Sequence, residues 1–131
     1  MKIFGIGTDI VNINRIHRSL QKNGLNFKNK IFSKKEINYC DNKKNSSAFY
    51  AKRFAAKEAF SKALGTGIKK GITLKNIEIL NNPSGQPFIL LKGKLHSYLT
   101  KKIKSKKYDI HLSLSDDKPW AQATVIISYN K

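Results

Sequence analysis

The chain has 131 residues, 40% of them apolar and 10% aromatic, enough for one core that removes roughly 70% of the unfolded surface from water. Its 26 Lys and Arg stand against 8 Asp and Glu, a formal charge of +18 that calls for an anionic partner: nucleic acid, an anionic membrane surface, a phosphorylated cofactor or an acidic protein. A lone cysteine, Cys40, excludes an intramolecular disulfide, and without a cleavable leader pattern or a run of roughly 18 apolar residues the chain is expected to be soluble and cytoplasmic.

Lys2 to Val11 read as a strand with Phe4, Ile6 and Ile10 on one face and Ile3, Gly5, Gly7, Asp9 and Val11 on the other. Two glycines beside Asp9 predict a face open to a ligand or a second backbone rather than packed as core. Asn12 is placed to cap a short helix with Ile13, Ile16 and Leu20 inward and Arg15 and Arg18 outward. Ser33 and Glu36 have capping-box spacing and start a second helix. Asp41 to Ser47 is a polar loop, with Ser46 or Ser47 as the cap of a long helix that runs through Leu64 and stops at Gly65 and Gly67. Thr73 to Leu80 and Phe88 to Leu91 flank the turn-rich Asn81 to Pro87 and form a hairpin. Lys94 to Lys107 is a weaker helix on Leu95, Leu99 and Ile103. Ile110 to Ser115 and Ala121 to Tyr129 form a second hairpin. No repeat or linker divides residues 1–131, so one domain is expected.

Three segments carry chemistry. At 100° per residue the long helix gathers Ala55, Ala56, Ala59, Phe60, Ala63 and Leu64 in one apolar arc and Lys57, Glu58, Ser61 and Lys62 in the opposite one. The bland reading of Glu58 and Lys62 is an exposed i,i+4 pair contributing about 0.3–0.5 kcal/mol. Asp9, an acid in an apolar strand, is either a solvated strand-end residue or a group compensated by a cation or hydrogen bonds. Two such carboxylates from distant segments suit a hard cation that also takes phosphate oxygens and water. His111 shares a polar strand face with Ser113 and Ser115, as a surface histidine or a phosphate contact. The three histidines and Cys40 lack the paired spacing of a zinc site.

Together, Gly5-Ile-Gly-Thr-Asp-Ile-Val11 with Arg15, Arg53-Phe-Ala-Ala-Lys-Glu58 with Lys62 and Gly65-Thr-Gly67, and His111-Leu-Ser113 closely resemble the holo-acyl-carrier-protein synthase family. The resemblance spans Gly5 to the final hairpin, in the family's order. It implies an α+β, 4′-phosphopantetheinyl transferase-like fold, a mostly antiparallel sheet packed on a long central helix. The implied activity is magnesium-dependent transfer of 4′-phosphopantetheine from coenzyme A to a serine of apo-acyl carrier protein, releasing adenosine 3′,5′-bisphosphate, in fatty acid biosynthesis.

Carried over by motif, Asp9 and Glu58 resemble the family's metal ligands and Glu58 and Lys62 its catalytic residues, with Lys62 on the pyrophosphate. Arg53 and His111 correspond to contacts with the cofactor's phosphates. Gly65, Thr66, Gly85 and Pro87 correspond to the nucleotide-lining turns, and Arg15 and Arg18 to the basic helix that receives the acidic carrier protein. The proton of the attacking serine passes to Glu58 or to a metal-bound water, and sequence leaves both open. The family is trimeric, with sites between subunits. Asp116 stands where many members have a second histidine, and lysine replaces arginine at several basic positions, which keeps charge but loses bidentate geometry. The competing class, a basic nucleic-acid-binding protein built on the lysines of 28–44 and 101–107, would expose aromatics among its cations; here most fall at apolar-face positions, so no nucleic acid partner is expected.

Overall fold

A computed structural model describes residues 1–65 and 73–130. Its elements in chain order are β1 (Lys2–Asn12), α1 (Ile13–Ile31), α2 (Lys34–Asp41), α3 (Ser46–Leu64), a 3₁₀ turn (Leu74–Asn76), β2 (Ile77–Asn81), β3 (Pro87–Leu91), α4 (Leu95–Ile103), β4 (Tyr108–Asp117) and β5 (Trp120–Tyr129). One sheet has the order β1-β5-β4 and the other pairs β2 with β3; all the pairings are antiparallel. The architecture is the α+β one expected, with α3 central.

Strand β5 alternates Ala121, Ala123, Val125 and Ile127 toward the core, all fully buried, with half-buried Gln122, Thr124 and Ile126 opposite. Its two alanines let α3 come close, and α3 answers with Ala55, Ala56, Ala59 and Ala63, all buried. The approach at β1 is closer still. A Cβ on Gly5 would lie 1.8 Å from the Ala63 carbonyl oxygen, and one on Gly7 1.9 Å from that of Ala59. Of the two occupants expected at the glycine face, a ligand or a second backbone, it is the backbone of α3 that the missing side chains admit, and the face is packed as core instead of standing open.

Several local readings change with the tertiary context. Asn12 caps α1 by accepting from the Asn14 N–H at 2.9 Å, but the helix is longer than its apolar stripe indicates and breaks at Gly24, φ 42°. The Ser33/Glu36 capping box forms with both reciprocal bonds. The N-cap of α3 is Asn45, not Ser46 or Ser47; Ser47 Oγ instead lies 2.7 Å from His17 Nδ1. Helix α4 ends at Ile103 on a left-handed Lys104, so the lysines beyond it are not helical. Lys57 and Ser61, assigned to the polar arc of α3, are buried at 0% and 2% exposure. With sheet on one side and α1, α2 and β2 on others, only Phe54, Glu58 and Lys62 reach solvent along its C-terminal half.

Cys40 is fully buried, and that burial pushes its thiol from the ordinary 9.0 up to about 12. It is expected to resist Ellman's reagent in the native protein and to react once denatured. Above pH 9.0 the unfolded thiol ionises while the folded one keeps its proton, so this residue's contribution to stability falls as pH rises; native-state labelling at a denatured-state rate would contradict the packing role.

Candidate active site

The tight β1–α3 contact brings Asp9 and Glu58 to one place. Asp9 follows Gly7 by two residues and shares its face, while Glu58 precedes Ala59, the residue whose carbonyl fills the space at Gly7. Both line a cleft of about 360 Å³ with Arg15, Ile16, Ser19 and Phe54. Lys62 stands over its edge, donating to Asp9 Oδ1 at 3.1 Å and to the Thr8 carbonyl at 3.0 Å. The i,i+4 pair of Glu58 with Lys62 is thus replaced by a pair between strand and helix. Glu58 is half-buried, and burial first, then the charge of Asp9, raises its carboxyl above the ordinary value, with Lys62 opposing. Two oxygen-donor side chains whose repulsion a cation would relieve form a donor set that fits a hard divalent ion completed by phosphate and water.

A second cleft, of about 430 Å³, opens beside α3 and is lined by Lys35, Tyr39, Arg53, Asn81, Asn82, Gly85 and Phe88 among others. Arg53 is 2% exposed; its Nη2 donates to Asn81 Oδ1 and its guanidinium lies 4.3 Å from the Tyr39 ring centroid. Its Nε has no partner among the described residues. Gly85, at φ 90°, turns the hairpin between β2 and β3, and Pro87 begins β3 opposite Asn81. Cations and backbone turns of this kind suit a phosphorylated ligand.

The remaining predicted positions scatter. Gly65 caps α3 in the left-handed conformation at φ 89°. Thr66 lies outside the described residues. Arg15 and Arg18 are exposed on α1, forming the basic face read from sequence, and only Arg15 enters the Asp9/Glu58 cleft. His111 joins neither cleft. It projects from the sheet face away from α3, in register with Ile126 and, across β5, Ile6, with Nε2 3.0 Å from Ser128 Oγ. Asp116 pairs with Lys52 at 3.1 Å.

Sequence reasoning missed Lys35, Tyr39 and Asn81, which line the second cleft, and Lys57, which is bound to Glu36 at 2.9 Å with neither side chain exposed. A signal for Lys57 existed: Arg53, Lys57 and Ser61 form one i,i+4 stripe.

Residues 5–124 match the family model described as the 4′-phosphopantetheinyl transferase superfamily. The chain belongs to that superfamily. Among phosphopantetheinyl transferases it is similar to holo-[acyl-carrier-protein] synthase of Wolbachia pipientis, with 53% identity over 129 residues covering 95% of this chain and 97% of that one. A crystal structure of the synthase from Neisseria meningitidis superposes with a TM-score of 0.87 at 36% identity, covering 96% of this chain and 98% of that one. The Helicobacter pylori synthase, solved in complex with coenzyme A, gives 0.81 at 34% identity over 94% and 99% of the two chains. Fold and family are thus those the motifs implied.

Proposed function

We propose that residues 1–131 act as one holo-acyl-carrier-protein synthase domain, transferring 4′-phosphopantetheine from coenzyme A to a serine of apo-acyl carrier protein and releasing adenosine 3′,5′-bisphosphate. The observation that carries this reading is the convergence of Asp9 and Glu58 on one cleft, beside Lys62 and Arg15, in a member of this superfamily. Coenzyme A and the acidic carrier account for the need for anionic partners, and fatty acid biosynthesis is the process served.

The serine oxygen forms a bond to the pantetheine-side phosphorus of the pyrophosphate, and the bond from that phosphorus to the bridging oxygen breaks. Negative charge grows on the non-bridging oxygens and on the departing 5′-phosphate, where the Lys62 ammonium stabilises it. Glu58, a carboxylate lining the same cleft, takes the serine proton. Asp9 and Glu58 would hold magnesium, which when bound supplies positive charge to the pyrophosphate oxygens. Arg53 and the hairpin turn at Gly85 and Pro87 hold the nucleotide portion, with Gly65 at the end of α3 and, by motif, Thr66 as further nucleotide contacts. Exposed Arg15 and Arg18 steer the acidic carrier toward the cleft.

The outer sheet face supports self-association. Ile6 and Ile10 are 64% and 62% exposed there, on the face that also carries His111. We assign a homotrimer in which His111 of one copy meets a phosphate bound by another, so that the site is complete only in the assembly. We place the protein in the cytoplasm and assign it no nucleic acid or membrane partner. Separately, no helix among the described residues is long and apolar enough to cross a membrane.

Mass spectrometry of an apo-carrier protein incubated with this protein, coenzyme A and magnesium tests the reading. The carrier is expected to gain the mass of phosphopantetheine, and a chelator to abolish the gain. Absence of any gain with several carriers would overturn the activity, and a gain indifferent to chelation would overturn the metal.

A further inference from the structure

Strand β2 pairs with β3 along one edge, and among the described residues its other edge meets side chains instead of a strand. Lys57 Nζ donates to the Ile77 carbonyl, and Glu36 Oε2 accepts the Ile79 N–H at 3.1 Å. These two groups, two residues apart, lie on the same edge of β2. Further along the strand, Arg53 donates to the Asn81 side chain. Lys57 also donates to Glu36 Oε1 at 2.9 Å and to the Leu74 carbonyl at 2.8 Å, which uses all three of its N–H groups. Glu36 Oε1 accepts the Ser33 N–H as well, so one buried network joins the start of α2, the middle of α3, the 3₁₀ turn and β2.

Burying two charges is a poor way to gain stability, because an apolar pair of similar volume often serves as well or better. What an apolar pair cannot supply is directed bonds to the Leu74 and Ile77 carbonyls and to the Ile79 N–H. Those bonds set where the hairpin sits on α3, and the hairpin carries Asn81, Asn82 and Gly85, which face Arg53 across the second cleft.

We propose that Lys57 and Glu36 are positioning residues for the nucleotide pocket: their pair fixes the β2–β3 hairpin against α3 and so fixes the gap between Arg53 and the Asn81–Gly85 rim. This rests on the reading that the second cleft takes the nucleotide portion of coenzyme A. Neither residue touches the substrate, and their effect passes through the hairpin.

Glu36→Gln, Lys57→Met and the double Glu36→Leu/Lys57→Met variant separate this role from a purely structural one. Each is compared with the unmodified protein in thermal unfolding, calorimetric coenzyme A binding, and steady-state transfer with coenzyme A and carrier varied separately. Lys57→Met is expected to lose Tm, since it leaves Glu36 buried without its counter-charge, and the double variant is expected to regain it. The double variant nevertheless binds coenzyme A about tenfold or more weakly and shows a matching rise in KM for coenzyme A. Its KM for the carrier stays unchanged. Glu36→Gln keeps the side-chain shape but sets an amide donor against a backbone donor, and it is expected to fold while weakening coenzyme A binding in the same way. A double variant that regains Tm and binds coenzyme A with wild-type affinity would overturn the proposal. If the double variant does not fold, normal coenzyme A affinity in Glu36→Gln overturns it and weakened affinity upholds it. Failure of the unmodified protein to bind coenzyme A would instead overturn the reading of the cleft, and the positioning role with it.

Discussion

Replacing Glu58 or Asp9 by Ala is expected to reduce phosphopantetheine transfer by about a thousandfold while leaving the metal-free folded protein within about 1 kcal/mol of its former stability. The activity loss follows from what the cleft loses: one of two oxygen donors for a divalent ion and, at position 58, the proton acceptor. The stability expectation for Glu58 follows from its raised carboxyl, since burial and the nearby Asp9 both disfavour its ionised form. Removing the acid removes that repulsion. Asp9 carries a counter-charge in Lys62, which is itself 56% exposed at the side chain, so its loss frees a cation that water can solvate. Transfer rates and thermal unfolding of the two variants, measured in chelated buffer and with magnesium, check both halves. Near-normal turnover by either folded variant would sink the site assignment, and unfolding of Glu58→Ala would recast that residue as structural.

Gly7→Ala is expected to destabilise the protein by about 3 kcal/mol or more and to abolish most transfer activity at temperatures where it remains folded. The new Cβ would stand 1.9 Å from the Ala59 carbonyl oxygen and 2.7 Å from the Ala63 nitrogen. Those are backbone atoms inside α3, so no rotamer change relieves the overlap; β1 must move away from the helix. Asp9 travels with β1 and Glu58 stays with α3, which widens the carboxylate pair. Gly24→Ala is the control for backbone strain without a clash: at φ 42° and ψ −116°, with nothing within 4 Å of its Cβ, it carries a conformational cost of about 1–3 kcal/mol and is expected to keep its transfer activity wherever it is folded. Equal loss of transfer activity in the two folded variants would show that space at Gly7 is not the cause.

Much of this site was legible because its parts sit in locally patterned segments. The alternation of β1, the Ser33/Glu36 capping box and the two hairpins depend on neighbours a few residues away, and they form where the pattern puts them, except that Leu74–Asn76 make a 3₁₀ turn ahead of β2 instead of extending it. Asp9, Glu58 and Lys62 were legible by motif, and the structure brings those three together. Lys57 was not, since an amphipathic projection assumes one solvent-facing side and α3 is enclosed on most of its circumference. The closed glycine face was not either: a glycine shows that something approaches, and only the tertiary structure shows whether it is a ligand or a helix. The position of His111 on the outer sheet face was legible as polar alternation, but its separation from both clefts depends on the order of strands, which no local pattern encodes.

That order has a consequence for how the protein is made. Of the described strands, β1 comes first in chain order and pairs only with β5, which comes last; Lys2 lies opposite Tyr129 and Asp9 opposite Ala123. During synthesis the helices and the β2–β3 hairpin, whose contacts are nearer in sequence, have their partners available early, and α3 is there to meet the glycine face of β1, while the strand-pairing edge of β1 waits for β5. A chain stopped before residue 120 would therefore contain every motif residue named for catalysis and still lack the strand that holds Asp9 in place.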